Sequence, residues 1–565
     1  MVSRLLTILN KDISGMNQAA LLLGVFSLVS QLFGLVRDHL LASLVGPSAS
    51  LDVYYAAFRV PDFIYNSIAI LFSITVIIPF ITSYLGDKSD EGEKDLKKFS
   101  NSLFTVYCVG MIAVSLVAFA LMPWITHITA PGFSVAQRLD LVLYSRIMLI
   151  SPFLMGLSSL LSSFAQAQKK FFAFAIAPVF YNFGILLGII FLRPALGILG
   201  VVLGVTIGAV LYLGIQLPTL ASLQVLPRLI KKVDWPLMKR VIKASLPRTL
   251  ASSLTNITFI IIGAIASLLV SGSISIFQFS YNIQTTPLMI IGISYAVAAF
   301  PALARLHVEK DYKSFMDIVH RTTRTIIFFS VPASLFMIVL RAQIVRILLG
   351  AGKFSWNDTR LVAASLALFC ISVTAQCLVL LLVRAFYASG NTKTPLKINT
   401  ISVFVTIGSA ILLLLAHKHS LLFKDFLDSL LRIDGTVGAS VVLLSLAFSI
   451  GQIVNAIVLW RSLHRHMSGT EVESRGMSQT LFHTLGASII AASAVYGALS
   501  LLGSGVDQTR FIGILAQGFL AGVIGIAMYV IVLFALKNED ILDFIKTMKS
   551  KFWKAKPLVA PQQDL

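Results

Sequence analysis

Residues 19–45 read AALLLGVFSLVSQLFGLVRDHLLASLV, and near the middle of this apolar run stand Arg37 and Asp38. A helix crossing the hydrocarbon layer of about 30 Å needs about 20 mostly apolar residues at 1.5 Å rise each. The run meets that length. Its two charges do not suit lipid, because an ionised side chain at the centre of a membrane helix costs about 2.5–3.5 kcal/mol on insertion scales and normally faces a watery cavity or a partner. Asp52, Arg59 and Asp62 follow in the next apolar run. Two neighbouring spans therefore carry the charges that a membrane protein would otherwise avoid.

The same ruler moved along the chain marks further spans near 55–85, 101–124, 139–166, 171–192, 196–221, 247–271, 275–304, 325–348, 361–387, 395–416, 434–460, 479–502 and 509–536. The expectation is an all-α polytopic membrane protein of about 14 transmembrane helices. Pro395 suits the first turn of the helix it opens. Composition agrees: 57% of the 565 residues are hydrophobic and 12% are charged, where a soluble domain carries roughly 25% charged residues. Mean hydropathy is +0.88. An ordinary soluble enzyme, a disordered chain and a disulfide-stapled secreted module are excluded. Cys108, Cys370 and Cys377 lie in apolar stretches with no metal-ligand spacing and read as core packers. The polar opening MVSRLLTILNKDISGMNQ does not read as a cleavable leader, so the first span is expected to stay in the protein.

The net charge of +20 reads as a topology signal, with basic loops held against anionic lipid on the cytoplasmic face, and not as nucleic-acid binding. Lys94, Lys97, Lys98, Lys169, Lys170, Lys231, Lys232, Lys239, Lys393, Lys397 and the tail lysines fall on one side when the N-terminus is inside. Both termini are then cytoplasmic. Segments 228–246 and 306–322 mix apolar and basic residues and read as interfacial helices; residues 87–98 and the tail from Lys554 read as solvated and mobile.

Two stretches match at a constant offset of 221: Phe133-Ser134 with Phe354-Ser355, Ile150-Ser151 with Ile371-Ser372, and Ala167 with Ala388. Six spans separate the copies, so both have the same orientation, as in parallel-repeat transporters. The expected organisation is a cytoplasmic N-terminus at 1–18, an N-lobe of six helices at 19–222, an amphipathic linker at 223–246 and a C-lobe of six helices at 247–462. Two C-terminal helices with their leading loop occupy 463–536, and a basic tail occupies 537–565.

Arg37 could sit in an internal salt bridge with Asp38 or Asp52, or could contact an anionic ligand in a cavity between the lobes. Arg59 precedes Pro61, which would break or kink its helix and free backbone groups that only a protein-lined cavity tolerates. Pro287 holds a comparable place in span eight. Arginine suits phosphate because its planar fork donates two parallel hydrogen bonds and stays charged when desolvated. No phosphate-binding P-loop, zinc-protease or nucleophile-elbow motif is present, so the expectation is a non-enzyme without a cofactor.

The segments SQLFGLVRD (30–38), DVYYAAFRVP (52–61), RAFYASGNTKTPLKI (384–398), APGF (130–133) and GKFSWNDT (352–359) resemble the MviN/MurJ lipid II flippases of the multidrug/oligosaccharidyl-lipid/polysaccharide exporter superfamily. The resemblance covers nearly the whole chain. It implies two six-helix lobes that alternate between inward and outward cavities in the bacterial cytoplasmic membrane. It also implies a cargo: an undecaprenyl-diphosphate-linked peptidoglycan precursor. The family usually has arginine where this chain has Gln31, another near Tyr65 or Asn66, and a third at Asn282; its acidic-glycine pair is Ile70-Leu71 here, and span seven lacks a carboxylate used by some relatives. On this basis Arg37 and Arg59 would hold the diphosphate, with Gln31, Asn66 and Asn282 as uncharged donors. Asp38 and Asp52 would orient the arginines. Arg384, Lys393 and Lys397 lie at the cytoplasmic mouth, where they serve as positive-inside anchors or attract the headgroup. Membrane potential or an ion gradient would drive transport, and cell-wall synthesis proteins are possible partners. Two other readings stay open: an ion-coupled exporter of small cationic compounds, and a non-transporting scaffold of cell-wall synthesis.

Overall fold

A computed structural model describes residues 16–68, 77, 81, 90–168, 170–222, 227–467, 475–503, 507, 510–538 and 540–542. The expected N-terminal stretch before Met16, the far half of span two with Ile70-Leu71, the loop at 468–474 and the tail beyond 542 lie outside these residues. The described residues are helical, without strands. In chain order the helices are α1 (Met16–Leu44), α2 (Ala49–Ala57), α3 (Arg59–Ser67), α4 (Asp90–Thr129), α5 (Val135–Met148), α6 (Ile150–Ala167), α7 (Phe172–Leu187), α8 (Ile198–Gly214) and α9 (Trp235–Ser267). There follow α10 (Ser273–Pro287), α11 (Ser294–Val308), α12 (Tyr312–Val339), α13 (Arg341–Leu349), α14 (Trp356–Cys370), α15 (Val373–Ala388), α16 (Lys393–His419), α17 (Leu421–Leu431), α18 (Val442–His466), α19 (Arg475–Gly503) and α20 (Phe511–Ala535).

Eleven of the spans expected from the sequence are long and apolar enough to cross a membrane, and α14 with α15, bent by 45° at their junction, make a twelfth. The other two positions are span two, partly outside the described residues, and span seven, apolar over Ser253–Ser267 only.

Local geometry repeats at the offset seen in the sequence. Ser134 caps α5 in a capping box with Gln137, and Ser355 makes the same exchange with Asp358: its hydroxyl accepts from the Asp358 N–H at 3.1 Å while its own N–H donates to Asp358 Oδ2 at 2.8 Å. Both copies then break at equivalent places, between Met148 and Ile150 and between Cys370 and Val373. Pro152 and Ser372 sit beside these breaks.

Some loop expectations need correction. The linker is not helical from 228: residues 227–234 are non-helical, Asp234 caps α9, and the helix runs unbroken from Trp235 to Ser267. The reason is side-chain capture. Asn101, Ser102 and Thr105 of α4 accept hydrogen bonds from the backbone N–H groups of Arg228 (2.7 Å), Asp234 (3.3 Å) and Ile230 (3.0 Å), and Lys98 pairs with Asp234 at 3.3 Å. Backbone groups satisfied this way do not require helix. Segment 306–322 is helical at both ends but not a separate helix: residues 306–308 close α11, residues 312–322 open α12, and a tight turn at 309–311, with Lys310 at φ 58° and the α12 cap Asp311, joins them. Residues 90–98, expected to be mobile, form the first turns of α4. Helix α17 falls between the spans expected at 395–416 and 434–460, where the sequence marks no element.

The chain parts into two compact units. The first is Met1–Tyr281, Leu348–Ser365 and Thr392–Gly451; the second is Asn282–Ile347, Leu366–Asn391 and Gln452–Leu565. In the first, Phe99, Leu103, Tyr107, Leu160, Phe164 and Met238 form a buried core, and the Tyr107 hydroxyl donates to the Phe153 carbonyl at 2.7 Å. Helices α7 and α8 meet backbone to backbone: a Cβ on Gly184 would lie 2.3 Å from Gly208 Cα, and one on Gly188 2.5 Å from Gly204 Cα. In the second unit, Phe328, Ala487, Ala491, Tyr529 and Leu533 pack together. There Arg324 pairs with Asp540 at 3.0 Å, and the Thr480 hydroxyl donates to the same carboxylate.

Candidate functional site

The charged residues of spans one and two lie in the first unit, on α1, α2 and α3. Arg37 stands 23% exposed in the side chain and pairs with the buried Asp38 at 2.9 Å; its Nη1 also donates to Asn182 Oδ1 of α7 at 3.3 Å. Asn182 in turn donates to the Ser30 carbonyl and hydroxyl. A salt bridge between neighbours on one helix fixes the rotamer of the guanidinium while leaving donors over for a second anion.

Asp52 is engaged elsewhere. Its carboxylate accepts from the N–H groups of Gly272 (2.7 Å) and Ser275 (2.8 Å) and from the Ser275 hydroxyl (2.6 Å), so it caps the N-terminus of α10. A carboxylate at a helix start meets unsatisfied donors and the positive end of the helix dipole together. Around it the end of α1 is fastened as well. Ser43 accepts from the Lys353 N–H at 2.8 Å, and His39 Nδ1 lies 2.8 Å from the Leu348 carbonyl oxygen. Gly272 takes φ +93° with a Cβ position 3.3 Å from Pro47 Cβ, so this approach requires glycine. Asp52 thus orients no arginine here; it latches the start of the first repeat to the start of the second.

Arg59 follows the break at Phe58 that separates α2 from α3; Pro61 falls in the first turn of α3, where a proline is tolerated. Its Nη2 donates to Gln278 at 3.2 Å, and its guanidinium lies 5.4 Å above the Phe259 ring. Nε is buried without a hydrogen-bond partner. Among the described residues no carboxylate is ion-paired with Arg59; Asp62, three residues on, acts on it from beyond ion-pairing distance. Phe259 packs edge-on to Tyr281 (centroids 4.7 Å apart) and against Phe448 (5.8 Å), giving the guanidinium an aromatic wall. Asn66 donates to the Asp62 carbonyl and to Asn256 of α9; Ser67 and Ser253 share a hydrogen bond of 2.7 Å one turn on.

Gln31 is half-buried on α1. Asn282 belongs to the second unit, and its carbonyl accepts from Thr285. There Arg384 donates to the Ile293 carbonyl at 3.1 Å, at the end of the π-helical turn Leu288–Ile293 that follows Pro287. Arg384 thereby ties α15 to the end of that turn. Lys393 and Lys397 are exposed on the first turns of α16. Sequence reasoning missed Asn182, Asn256, Gln278 and Phe259. The first three were findable as amide side chains inside apolar runs; Phe259 was not, since one more aromatic residue in such a run carries no signal.

A family model described as "Lipid II flippase MurJ" matches residues 41–516. The chain belongs to the MurJ family. A probable lipid II flippase MurJ of Rhizobium tropici is 27% identical over 553 residues, covering 94% of this chain and 96% of that protein. The lipid II flippase MurJ of Burkholderia cenocepacia is 25% identical, covering 85% and 89%. Among solved structures, a lipid II flippase MurJ in an inward closed conformation aligns with TM-score 0.72 at 20% identity, covering 92% of this chain and all of that one. An inward-facing multidrug transporter of the MATE family aligns at 0.63, 14% identity, covering 78% and 96%. These likenesses show a shared fold. MurJ-family membership together with the apolar spans places the chain in the bacterial inner membrane.

Proposed function

We infer that this member of the MurJ family flips lipid II, the lipid-linked peptidoglycan precursor, between the leaflets of the inner membrane by alternating access. The observation that carries the site assignment is the Arg59 guanidinium. It sits in a membrane span against Phe259 and Gln278 with no carboxylate partner among the described residues. A desolvated guanidinium with open donors favours a diphosphate strongly. Arg37, already oriented by Asp38, is the second grip, with Gln31 as an uncharged donor; both amide hydrogens of Asn66 are already given to the Asp62 carbonyl and to Asn256.

In this reading the molecule makes and breaks no covalent bond. The bonds of Asp52 to α10 hold one end closed, and opening that end requires the carboxylate to leave two backbone donors. Each charge-assisted bond is worth about 1.5–3 kcal/mol, an amount the membrane potential or an ion gradient can offset. Both termini lie in the cytoplasm, two six-helix lobes at 19–222 and 247–462 rock about the cavity, and the basic linker and tail rest on anionic lipid. The same cytoplasmic face is where cell-wall synthesis proteins would dock. Replacing Arg37 with alanine should abolish complementation of a flippase-depleted strain while membrane insertion stays normal, and lipid II headgroups should stay inaccessible from outside. Full growth of that strain would remove the diphosphate role.

A further inference from the structure

Helix α17 (Leu421–Leu431) leaves a row of large apolar side chains uncovered: Leu422, Phe426 and Leu430 are 82%, 62% and 61% exposed. They recur at i, i+4 and i+8, which is one line along a helix. The adjoining line holds Phe423, half-buried, and Leu427 and Leu431, both buried. Lys424, Asp425 and Ser429 are exposed on the remaining side, where Leu421 of the first turn is the apolar exception. One half of the helix is thus apolar, and protein covers only one line of that half.

The helix does not point away from the membrane. Ser420, extended at φ −117° and ψ 106°, ends α16 and caps α17 by accepting from the Phe423 N–H at 3.2 Å. Were α17 to continue along the axis of α16, eleven residues would set Asp428 about 16 Å beyond His417, more than the two side chains can span. Instead Asp428 Oδ1 lies 3.9 Å from His417 Nε2, with side chains 9% and 11% exposed. The chain has folded back across the end of α16. Its far end is held at the same height. Arg360 of α14 donates from Nε to the Arg432 carbonyl at 2.8 Å and from Nη2 to the Asp434 carbonyl at 3.3 Å, and Ile433 between them is fully buried. All these residues belong to the first unit. The spans at 361–387 and 395–416 are successive, so residue 361 and residue 416 mark edges on one face of the membrane. Helix α17 therefore lies flat along that face, with one end beside residue 416 and the other beside residue 360.

We propose that α17 docks on the membrane surface itself, with Leu422, Phe426 and Leu430 sunk among the acyl chains just below the headgroups of one leaflet. Position chooses this occupant. A helix lying flat at the edge of the hydrocarbon, apolar on one half and polar on the other, is the form that binds a bilayer interface. Its uncovered line adjoins the line packed on protein, on the half turned toward the spans and the lipid around them. Lys418, Lys424 and Arg432 are exposed about it, at the level of lipid phosphates. A second copy of the chain is a poor occupant, because three side chains fall far short of the roughly 1,200–2,000 Å² that a stable protein interface buries.

The test uses the full chain in phosphatidylcholine vesicles, with an environment-sensitive fluorophore placed through Leu422→Cys, Phe426→Cys, Asp425→Cys or Ser429→Cys. The native Cys108, Cys370 and Cys377 are buried, and the parent chain treated with the same reagent sets the background. Lipid brominated near the headgroup end of its acyl chains should quench the probes at 422 and 426 at least about twofold more than those at 425 and 429, and more than lipid brominated at the chain ends, as burial by about 5–10 Å requires. Aqueous iodide should give the reverse order. Phe426→Asp changes an exposed side chain and so keeps the fold, and it should remove the bromolipid quenching at 422. Iodide quenching equal at all four positions would overturn the proposal by leaving the apolar line in water. Shielding from iodide without bromolipid quenching, accompanied by energy transfer between labelled copies, would overturn it in favour of a second copy.

Discussion

Two arginines in the membrane differ in what they already hold. Arg37 is neutralised by the adjacent Asp38 and anchored by Asn182, whereas Arg59 is met by an amide and an aromatic face. Arg59 is therefore the one whose binding capacity is uncommitted. Arg59→Lys keeps the charge but loses the paired donors and the flat stack on Phe259. We expect at least about tenfold weaker apparent affinity for lipid II, the size of one charge-assisted bond, in a binding assay with the purified protein. Arg59→Gln should lose binding altogether. Equal affinity of all three proteins would place the diphosphate elsewhere. At this scale the sequence was informative about which positions carry charge and uninformative about whom they face. Asp38 and Asp52 looked interchangeable as partners for Arg37; the structure gives one to the arginine and the other to a helix start.

Among the elements, the spans were legible because the length of apolar run needed to cross a bilayer is fixed by the bilayer itself. The connections were not, since their shape depends on side chains far away in sequence. The strap at 227–234 shows why. Its backbone is satisfied by Asn101, Ser102 and Thr105, more than a hundred residues earlier. At its end Asp234 accepts from the Leu237 N–H and pairs with Lys98, which together hold its carboxyl below the usual carboxylate range. A depressed value means the attachment is complete above the unfolded-chain pKa of about 4 and is lost as pH falls through the lower folded value. At neutral pH the strap should therefore be insensitive to pH, while Asp234→Asn should imitate the acid state. Limited proteolysis at pH 7 should then cut the variant within 227–234 faster than the parent. Identical cutting would mean that the backbone bonds to α4 suffice alone.

For the whole molecule, the offset of 221 read from residue matches is accompanied by like caps at Ser134 and Ser355 and by the two helix interruptions. What no pattern could disclose is the latch of Asp52 on α10, because it depends on the approach of Pro47 to Gly272. A Cβ at position 272 would lie 3.3 Å from Pro47 Cβ, so Gly272→Ala should loosen the latch, as Asp52→Asn should by weakening the acceptor. Both variants should change the rate of flipping in vesicles. Unchanged flipping in both would show that this end stays shut throughout the cycle.

The 221-residue offset makes position 273 the counterpart of position 52, so Asp52 grips the start of the very helix that answers to its own. Ser275, whose hydroxyl and N–H receive the acid, answers at that offset to Tyr54, so the fastening joins unlike positions of the two copies. Exchanging Asp52 and Ser275 would ask whether the handedness of the fastening matters or only its presence.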